Sequence, residues 1–475
     1  MSFNTPNSSQ GSQAMPPMIP VHEYLSICDN TPFIWDDVNR EDSAAWIGPV
    51  QDAGLDPSKH KVFHHSNKEY LKPPAPFIQQ GPELGESGST VIYKVTCPDQ
   101  YAYKHPLALK IIVCKESMRP PGPDSNVRKR ALEEVRNMAA VRHPHMVAYV
   151  ASFEDYCIQT LQVRHRHHRT TSNSEQPPRS VFSHHKPSDN QQYQHQQQQR
   201  IKRHILGIAM YPPAQCNLRT LMNEAIESNS NPQQQDGWML AYMHTYFGCL
   251  SQAVAYLHKS SVRIRHKDIK PENIVIDDFG LPLLTDFGLS KHFELGGMHS
   301  EGPTAKTLKY ADPEAVHETL RDERSDIFSL GCVFLEMATV LLGKPLGFAE
   351  EQLVSSMRSG HHQFMYAESL NNLQGYMAKL AGGVAKELVA AEPRREASAR
   401  AVVKALPCIA QMMHGDYHRR PYARELFPAF RHLYGVHESP GVCQSCEEER
   451  RTGRPSRPGT PSVVRRANTL TGRGH

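Results

Sequence analysis

Apolar positions before residue 160 fall into short runs and one helical repeat. The segment Leu107–Cys114 is apolar except for a single lysine, and its short length favours a buried strand over a helix. Apolar residues at positions 127, 131, 135, 138 and 141 have helical spacing, and Asp124–Asn126 can cap that helix. Gly85–Val95 has the glycines and β-branched flanks of a hairpin, and Met146–Phe153 favours a further strand. These patterns predict strands around one helix.

After Ile205 the apolar spacing becomes mostly helical. Between Met239 and Leu257 apolar residues recur three and four positions apart, which predicts a helix with one buried face. Ile327–Leu342 is apolar on nearly every side, so we expect a fully buried helix there. Residues 366–435 have the pattern of further helices.

Three segments have too few apolar residues to form a core. We predict that residues 1–75 are a partly disordered extension, although Trp35 and Trp46 could pack on a neighbouring surface. Residues 164–204 contain seven His, eight Gln, eight Lys or Arg and two acids, which predicts a disordered basic insert. Residues 439–475 are predicted to be a disordered tail, with seven arginines from Arg450 onward. The folded domain is therefore expected over residues 76–438.

Composition narrows the functional classes. The 53 basic and 49 acidic residues nearly balance, at a net charge of +4, which argues against a nucleic-acid-binding or membrane-binding surface along the whole chain. No apolar stretch is long enough to span a bilayer, and the first residues lack the apolar core of a secretion signal. The ten cysteines have no disulfide-framework spacing, so we expect a reducing, intracellular compartment, cytoplasmic or nuclear.

The chemistry is concentrated in one pair of motifs. His266-Lys267-Asp268 is followed by Asn273, five residues beyond the aspartate, and Asp286-Phe287-Gly288 begins thirteen residues later. Phosphoryl transfer needs a carboxylate to orient a hydroxyl and hard oxygen ligands for Mg²⁺. Asp268 suits the first task, and Asn273 and Asp286 suit the second.

The whole string at this spacing resembles the eukaryotic protein kinase family over about residues 80–435. The resemblance implies an α+β fold of two lobes: a small antiparallel sheet with one helix, and a larger, mainly helical lobe. It also implies ATP and Mg²⁺ as cofactors and a protein as substrate.

The resemblance extends to individual residues of the small lobe and the catalytic loop. Lys110, after Ala108 in the strand, is implied to hold the α- and β-phosphates of ATP, with Glu134 as its helix partner. Lys270 resembles the lysine that steadies the γ-phosphate in serine/threonine kinases, and Thr307 supports the same specificity. By the same resemblance, Asp268 is the catalytic aspartate.

Other matches have structural roles in the family. Glu314 is expected to pair with Arg420, and Asp326 is expected to hold the catalytic loop. Three residues resemble members of the family's hydrophobic spine, namely Met138, His266 and Phe287.

Two segments depart from the family pattern. In the glycine loop, Gly85 is retained, but Ser87 and Thr90 occupy the second and third glycine positions, with Gly88 as a substitute. In the hinge, Pro212 and Pro213 lack the backbone N–H that normally binds adenine, and the gatekeeper is either Ala209 or Met210. Lys267 replaces the arginine that usually precedes the catalytic aspartate.

Two rival functions remain open. The changed glycine loop and hinge allow a pseudokinase scaffold, although a scaffold need not keep Lys110, Asp268, Asn273 and Asp286 together. The basic insert and tail allow an RNA- or condensate-associated protein. Cys443-x-x-Cys446 is one pair without further ligands at a recognised spacing, so we expect no zinc site there.

Overall fold

A computed structural model describes most of the chain between residues 46 and 447. The described residues are 46–47, 55, 59–63, 68–69, 73, 77–87, 90–97, 105–114, 126–163, 197–229, 237–292, 308–317, 319, 321–354, 364–431, 433, 442–443 and 445–447. The predictions of disorder for residues 1–45, 164–196 and 448–475 lie outside these ranges.

The small lobe is built on one eight-stranded sheet. Its strands are β1 (Trp46–Ile47), β2 (His60–Phe63), β3 (Lys68–Glu69), β4 (Ile78–Ser87), β5 (Thr90–Thr96), β6 (Leu107–Cys114), β7 (Ala148–Val163) and β8 (Gln197–Tyr211). Their order is β1-β2-β7-β8-β6-β5-β4, and β3 also pairs with β7. From β4 to β8 every neighbouring pair is antiparallel, as the resemblance implied.

The sheet buries both faces at its centre, which explains why β6 is apolar at almost every position. Leu107, Leu109 and Ile111 lie in one apolar cluster, whereas Ala108 and Ile112 face the helix α1 (Asn126–Ala140). Cross-strand packing is tight: a Cβ on Gly207 would lie 2.2 Å from the Phe153 ring, so this position requires glycine.

The hairpin of β7 and β8 is longer than predicted. Its ladder is antiparallel throughout and continues to Val163, which pairs with Gln197. Residues 197–204 are therefore strand, and the predicted disordered insert of 164–204 is wrong over these eight residues. Composition does not predict this strand, because backbone hydrogen bonds with β7 order the polar segment without burying a large apolar surface.

The boundary predicted at residue 76 is also wrong. β2 and β3 run parallel to β7 and pair with it, and β1 pairs with β2, so parts of residues 46–69 belong to the sheet. His60 is buried, and its Nδ1 lies 2.7 Å from the Ser152 hydroxyl oxygen. Short strands of this kind have no strong periodicity of their own.

The large lobe is mainly helical. Its helices are α2 (Leu218–Asn229), α3 (Gly237–Leu257), α4 (Pro313–Val316), α5 (Arg324–Leu341), α6 (Gly347–Leu353), α7 (Leu370–Lys379), α8 (Ala385–Ala391), α9 (Glu396–Met412) and α10 (Ala423–Arg431). Every residue of α5 is buried, as predicted from its apolar surface. Two small sheets carry the loops of the site: β9 (Cys216–Asn217) with β11 (Ile274–Ile276) and β12 (Pro282–Leu284), and β10 (Ile264–Arg265) with β13 (Lys291–His292).

The described part of the tail packs on the large lobe. Val442 and Cys446 are fully buried beside Cys249 and Phe427, so the predicted start of a disordered tail at residue 439 is wrong for residues 442–447 as far as they are described. Among the described residues, no helix combines the length and the apolar character that a membrane span requires. The two-lobed α+β fold itself is confirmed.

Candidate active site

Three elements bring a lysine and two carboxylates together between the lobes. Lys110 comes from the middle of β6, Glu134 from α1, and Asp286 from the loop after β12. The Lys110 Nζ donates to Glu134 Oε1 at 2.7 Å and to Asp286 Oδ1 at 3.0 Å. The expected pairing of Lys110 with Glu134 rather than Glu133 is thus present.

These contacts set the charge states of the three residues. Burial acts to lower the pKa of Lys110, but the neighbouring Glu134 and Asp286 carboxylates outweigh it and raise that pKa. Lys110 lowers the pKa of Asp286, whereas burial raises the pKa of Glu134. The lysine is therefore firmly cationic at neutral pH.

Asp268, Lys270 and Asn273 form a second group in the loop between β10 and β11. Asp268 Oδ2 accepts hydrogen bonds from Lys270 Nζ at 2.8 Å and from Asn273 Nδ2 at 2.9 Å. Asn273 Nδ2 also donates to the Asp268 carbonyl at 2.8 Å. The amide nitrogen is thereby engaged within the loop, and the amide oxygen is the atom suited to a metal.

The buried carboxylate of Asp326 binds the backbone of the loop that carries Asp268. Asp326 accepts from the backbone N–H groups of His266 and Lys267, both at 2.8 Å, and its Oδ2 lies 2.9 Å from His258 Nε2. Burial acts to raise the pKa of Asp326, but the contact with His258 and these donors lower it well below its usual range. Lys267 has φ 68°, a left-handed conformation that costs a non-glycine residue about 1–3 kcal/mol. Asp326 accordingly stabilises a strained turn next to Asp268.

The residues assigned to the spine pack as expected. Met138, His266 and Phe287 are fully buried, and the rings of His266 and Phe287 lie 5.1 Å apart. A Cβ on Gly288 would lie 3.3 Å from Glu134 Oε2, so a larger residue there would crowd the lysine pair. Asp286 itself has φ 65°, which aims its carboxylate back at β6.

A buried ion pair anchors the segment before α5. The Arg420 Nη2 donates to both oxygens of Glu314, at 3.0 and 2.7 Å, which is the predicted partnership. Burial raises the pKa of Glu314 to about 6 despite this arginine. Asp312 also faces Arg420, at 3.6 Å, so an acid at this position has a partner. Thr307 lies outside the described residues.

The strand register separates the two gatekeeper candidates. Met210 pairs directly with Ala108 across the sheet and lies in the same apolar cluster, whereas Ala209 pairs with Leu109 in the cluster on the opposite face. Met210 therefore lies on the same face of the sheet as Lys110, which makes it the better gatekeeper candidate. The Tyr211–Pro212 peptide bond that follows is cis.

The glycine loop is described only in part. Gly85 lies in β4 opposite Ile92, and a Cβ on Gly85 would meet nothing within 4 Å. Gly88 lies outside the described residues.

Two supporting residues of the site were not predicted from the sequence. His258, just beyond α3, contacts Asp326, and Asn137 on α1 donates to the carbonyl of Ser290 at 3.0 Å. The sequence signal for Asn137 was its position on an otherwise apolar helical face, where a polar residue needs a partner, and His258 had no such signal because it follows the end of α3.

The chain is similar to known proteins over the region of this site. Residues 215–428 match the family model described as "Protein kinase domain". The cysteine-rich receptor-like protein kinase 42 of Arabidopsis thaliana is 42% identical over 89 residues, which is 18% of this chain and 14% of that protein. The LRR receptor-like serine/threonine-protein kinase ER1 of Oryza sativa subsp. japonica is 39% identical over 90 residues, covering 19% and 9%. The mitogen-activated protein kinase kinase kinase A of Dictyostelium discoideum is 44% identical over 89 residues, covering 18% and 9%. The chain thus spans less than a fifth of each of these relatives.

Proposed function

We propose that this chain, whose residues 215–428 match the protein kinase domain model, is an active serine/threonine kinase, which transfers the γ-phosphoryl group of ATP to a protein hydroxyl. The observation that carries the proposal is the contact of Lys110 with both Glu134 and Asp286, opposite the Asp268–Asn273 group. In kinases the lysine–glutamate pair and the metal-binding aspartate must both be in place for activity.

Each of these residues has a task that follows from its contacts. Lys110 is a buried cation, which suits it to bind phosphate oxygens, and Glu134 fixes its direction. Asp268 Oδ2 is already engaged by Lys270 and Asn273, which makes Oδ1 the oxygen that accepts the proton of the substrate hydroxyl. Lys270 contacts the Asp268 carboxylate, so its ammonium group lies close enough to the reacting atoms to neutralise charge that develops on the transferred phosphoryl group.

The donor set suits magnesium. Asp286 supplies a carboxylate whose side chain is 42% exposed, and Asn273 supplies an amide oxygen; both are hard ligands that Mg²⁺ prefers. When bound, the ion would neutralise charge on the phosphates of ATP.

Two observations support the serine/threonine class. Lys270 stands two residues after Asp268 and contacts it at 2.8 Å, which is the position of the lysine in serine/threonine kinases. Thr307 lies in the segment that leads to Glu314.

A pseudokinase scaffold is the second candidate, favoured by the hinge. With Met210 as the gatekeeper, Pro213 occupies the position whose N–H usually donates to adenine, and a proline has no N–H to give. The carbonyls of Tyr211 and Pro213 remain as acceptors. We expect weaker adenine recognition from this change, with the phosphate-binding residues intact.

The decisive experiment measures phosphoryl transfer from radiolabelled ATP to the protein itself and to casein. Asp268→Asn should lower turnover by about a hundredfold or more, the scale for losing a catalytic carboxylate, with little change in melting temperature. Asp278→Asn is the matched control, because Asp278 is a partly exposed carboxylate in the turn between β11 and β12. Wild-type turnover in Asp268→Asn would show that Asp268 is not the catalytic carboxylate, and no transfer by the wild type to either acceptor would favour the scaffold.

A further inference from the structure

Four metal-ligating side chains from distant parts of the chain meet away from the active site. His145 lies in the connection between α1 and β7, Cys249 lies on α3, and Cys443 and Cys446 follow α10. One ligand atom from each, three sulfurs and a nitrogen, lie within 4.8 Å of one another. Cys249 and Cys443 are 194 residues apart along the chain, so the fold, and not a local motif, brings them together.

The spacing of the ligand atoms suits a tetrahedral ion. His145 Nε2 lies 3.3 Å from Cys443 Sγ and 3.2 Å from Cys446 Sγ. Zinc bonds of about 2.3 Å to sulfur and about 2.0–2.1 Å to nitrogen would place such a nitrogen and sulfur about 3.5 Å apart around a tetrahedral centre. Only small shifts of the side chains would be needed to admit the ion.

The histidine is oriented as a metal ligand. Its Nδ1 lies 2.8 Å from the carbonyl oxygen of Pro282, and because a carbonyl can only accept, Nδ1 carries the proton. The lone pair of Nε2 therefore points at the sulfurs. A backbone carbonyl bound to the far nitrogen is the usual way in which proteins fix a zinc-binding histidine.

The surroundings exclude water from most of the cluster. His145, Cys249 and Cys446 are fully buried, and Cys443 is partly buried. A disulfide would join only two of the three sulfurs, and it would leave the third thiol with a single weak hydrogen bond to Nε2. One ion accounts for all four groups together.

We propose that His145, Cys249, Cys443 and Cys446 bind one Zn²⁺ in a structural site. Three sulfurs and one imidazole nitrogen are the ligands of Cys₃His zinc centres, and four protein ligands leave no open position for catalysis. Binding removes a proton from each thiol, so uptake of the metal releases protons to solvent. The expectation that Cys443-x-x-Cys446 binds no metal is thereby replaced: the missing ligands are supplied by residues that the fold brings in from elsewhere.

The ion would fasten three parts of the protein to one another. It joins the connection between helix α1 and β7 in the small lobe to α3 in the large lobe and to the segment at residues 442–447. Around it, Val442 packs with Phe427, and Arg431 Nη2 donates to Glu447 Oε1 at 2.8 Å. The Arg431–Glu447 ion pair is partly exposed and therefore contributes little by itself, so we expect the metal to hold the C-terminal segment in place.

The test measures metal in the full-length protein, produced with zinc in the medium and freed of loosely bound ions by gel filtration. We expect about one zinc more per chain in the wild type than in Cys443→Ser/Cys446→Ser. Cys408→Ser, a partly buried cysteine on α9 outside the cluster, is the matched control and should retain the zinc. Cys443→His should also retain it, because imidazole is a zinc ligand and Cys443 is partly exposed.

Cobalt distinguishes this site from the histidines of residues 164–204. Co²⁺ in the proposed site should give thiolate-to-metal charge-transfer absorption and the visible bands of tetrahedral cobalt, and both should be absent from the double serine variant. Equal zinc content in the wild type and the double variant would overturn the proposal. So would a disulfide among the three cysteines, found by mass spectrometry after alkylation of the wild type, and this readout does not depend on whether the variants fold.

Discussion

Glu134 offers the sharpest test of how the candidate active site works. Glu134→Gln keeps the size of the side chain and an oxygen that can accept from Lys110, but it removes the negative charge 2.7 Å from the ammonium group. Asp286, at 3.0 Å, still pairs with the lysine. The variant therefore weakens the positioning of Lys110 without leaving a lone buried charge.

The magnitude follows from these contacts. A hydrogen bond to a charged group contributes about 1.5–3 kcal/mol. Because glutamine keeps an acceptor for Lys110 and removes only the charge, we expect a loss at the lower end of that range, which lowers kcat/KM for ATP roughly tenfold. Burial raises the pKa of Glu134, whereas the same carboxylate helps to raise the pKa of Lys110, so its charge has opposing effects on stability. We therefore expect a small change in melting temperature, together with the loss of activity.

Steady-state kinetics and thermal unfolding should be measured on the same preparations. Glu133→Gln is the control, because Glu133 is the neighbouring, less buried glutamate on α1, and it should leave kcat/KM unchanged. The reasoning is refuted if Glu133→Gln causes the larger loss. It is also refuted if Glu134→Gln loses stability in step with activity.

Three further predictions concern other parts of the chain. Replacing residues 164–196 with a short Gly-Ser turn should leave the melting temperature within a few degrees, since loop length affects stability only logarithmically, and loss of soluble protein would contradict this. Ser300 and Thr304 are the candidate phosphorylation sites between Gly288 and Thr307. Ser300→Ala/Thr304→Ala should stay within about tenfold of wild-type turnover, because Lys267 lacks the planar fork with which an arginine binds a loop phosphate. A hundredfold loss would show that Lys267 still binds the phosphate. Burial, helped by Arg395, lowers the pKa of His244 to about 4, so the unfolded chain binds a proton that the folded protein does not between about pH 6.5 and pH 4. As the pH falls through that window, this group should lower the free energy of unfolding by about 1.4 kcal/mol per pH unit. Denaturant unfolding of His244→Asn should show a shallower dependence on pH.

The sequence predicted the parts of the site that depend on local spacing. Asp268 and Asn273 lie in one short loop, and Asp286 ends the hairpin that follows, so their distance along the chain nearly fixes their distance in space. Lys110 could be located because a lysine inside an apolar strand requires a partner. The choice of Glu134 over Glu133 depended on the spacing to His143-Pro144 that the kinase resemblance implies, and the contact with Lys110 agrees with it.

Features that depend on tertiary packing could not be predicted. The choice between Ala209 and Met210 required the strand register, because neighbouring residues in a strand face opposite sides. The ligands around Cys443 are 194 and 298 residues away along the chain, and no motif links such distances. Residues 197–204 are polar, yet they are ordered by the hairpin ladder, which composition does not report.

The short parallel strands β2 and β3 have a practical consequence for where the domain can be cut. They cover the backbone of β7 between Ser152 and Ile158, which would otherwise be an exposed sheet edge. An open edge of this kind presents unpaired N–H and C=O groups to any other chain and promotes aggregation. A truncated protein that begins at residue 76 would uncover this edge and the buried Ser152 and Glu154, whereas one that begins before residue 46 would keep it closed. We therefore expect the shorter protein to aggregate more readily than one that retains β1, β2 and β3.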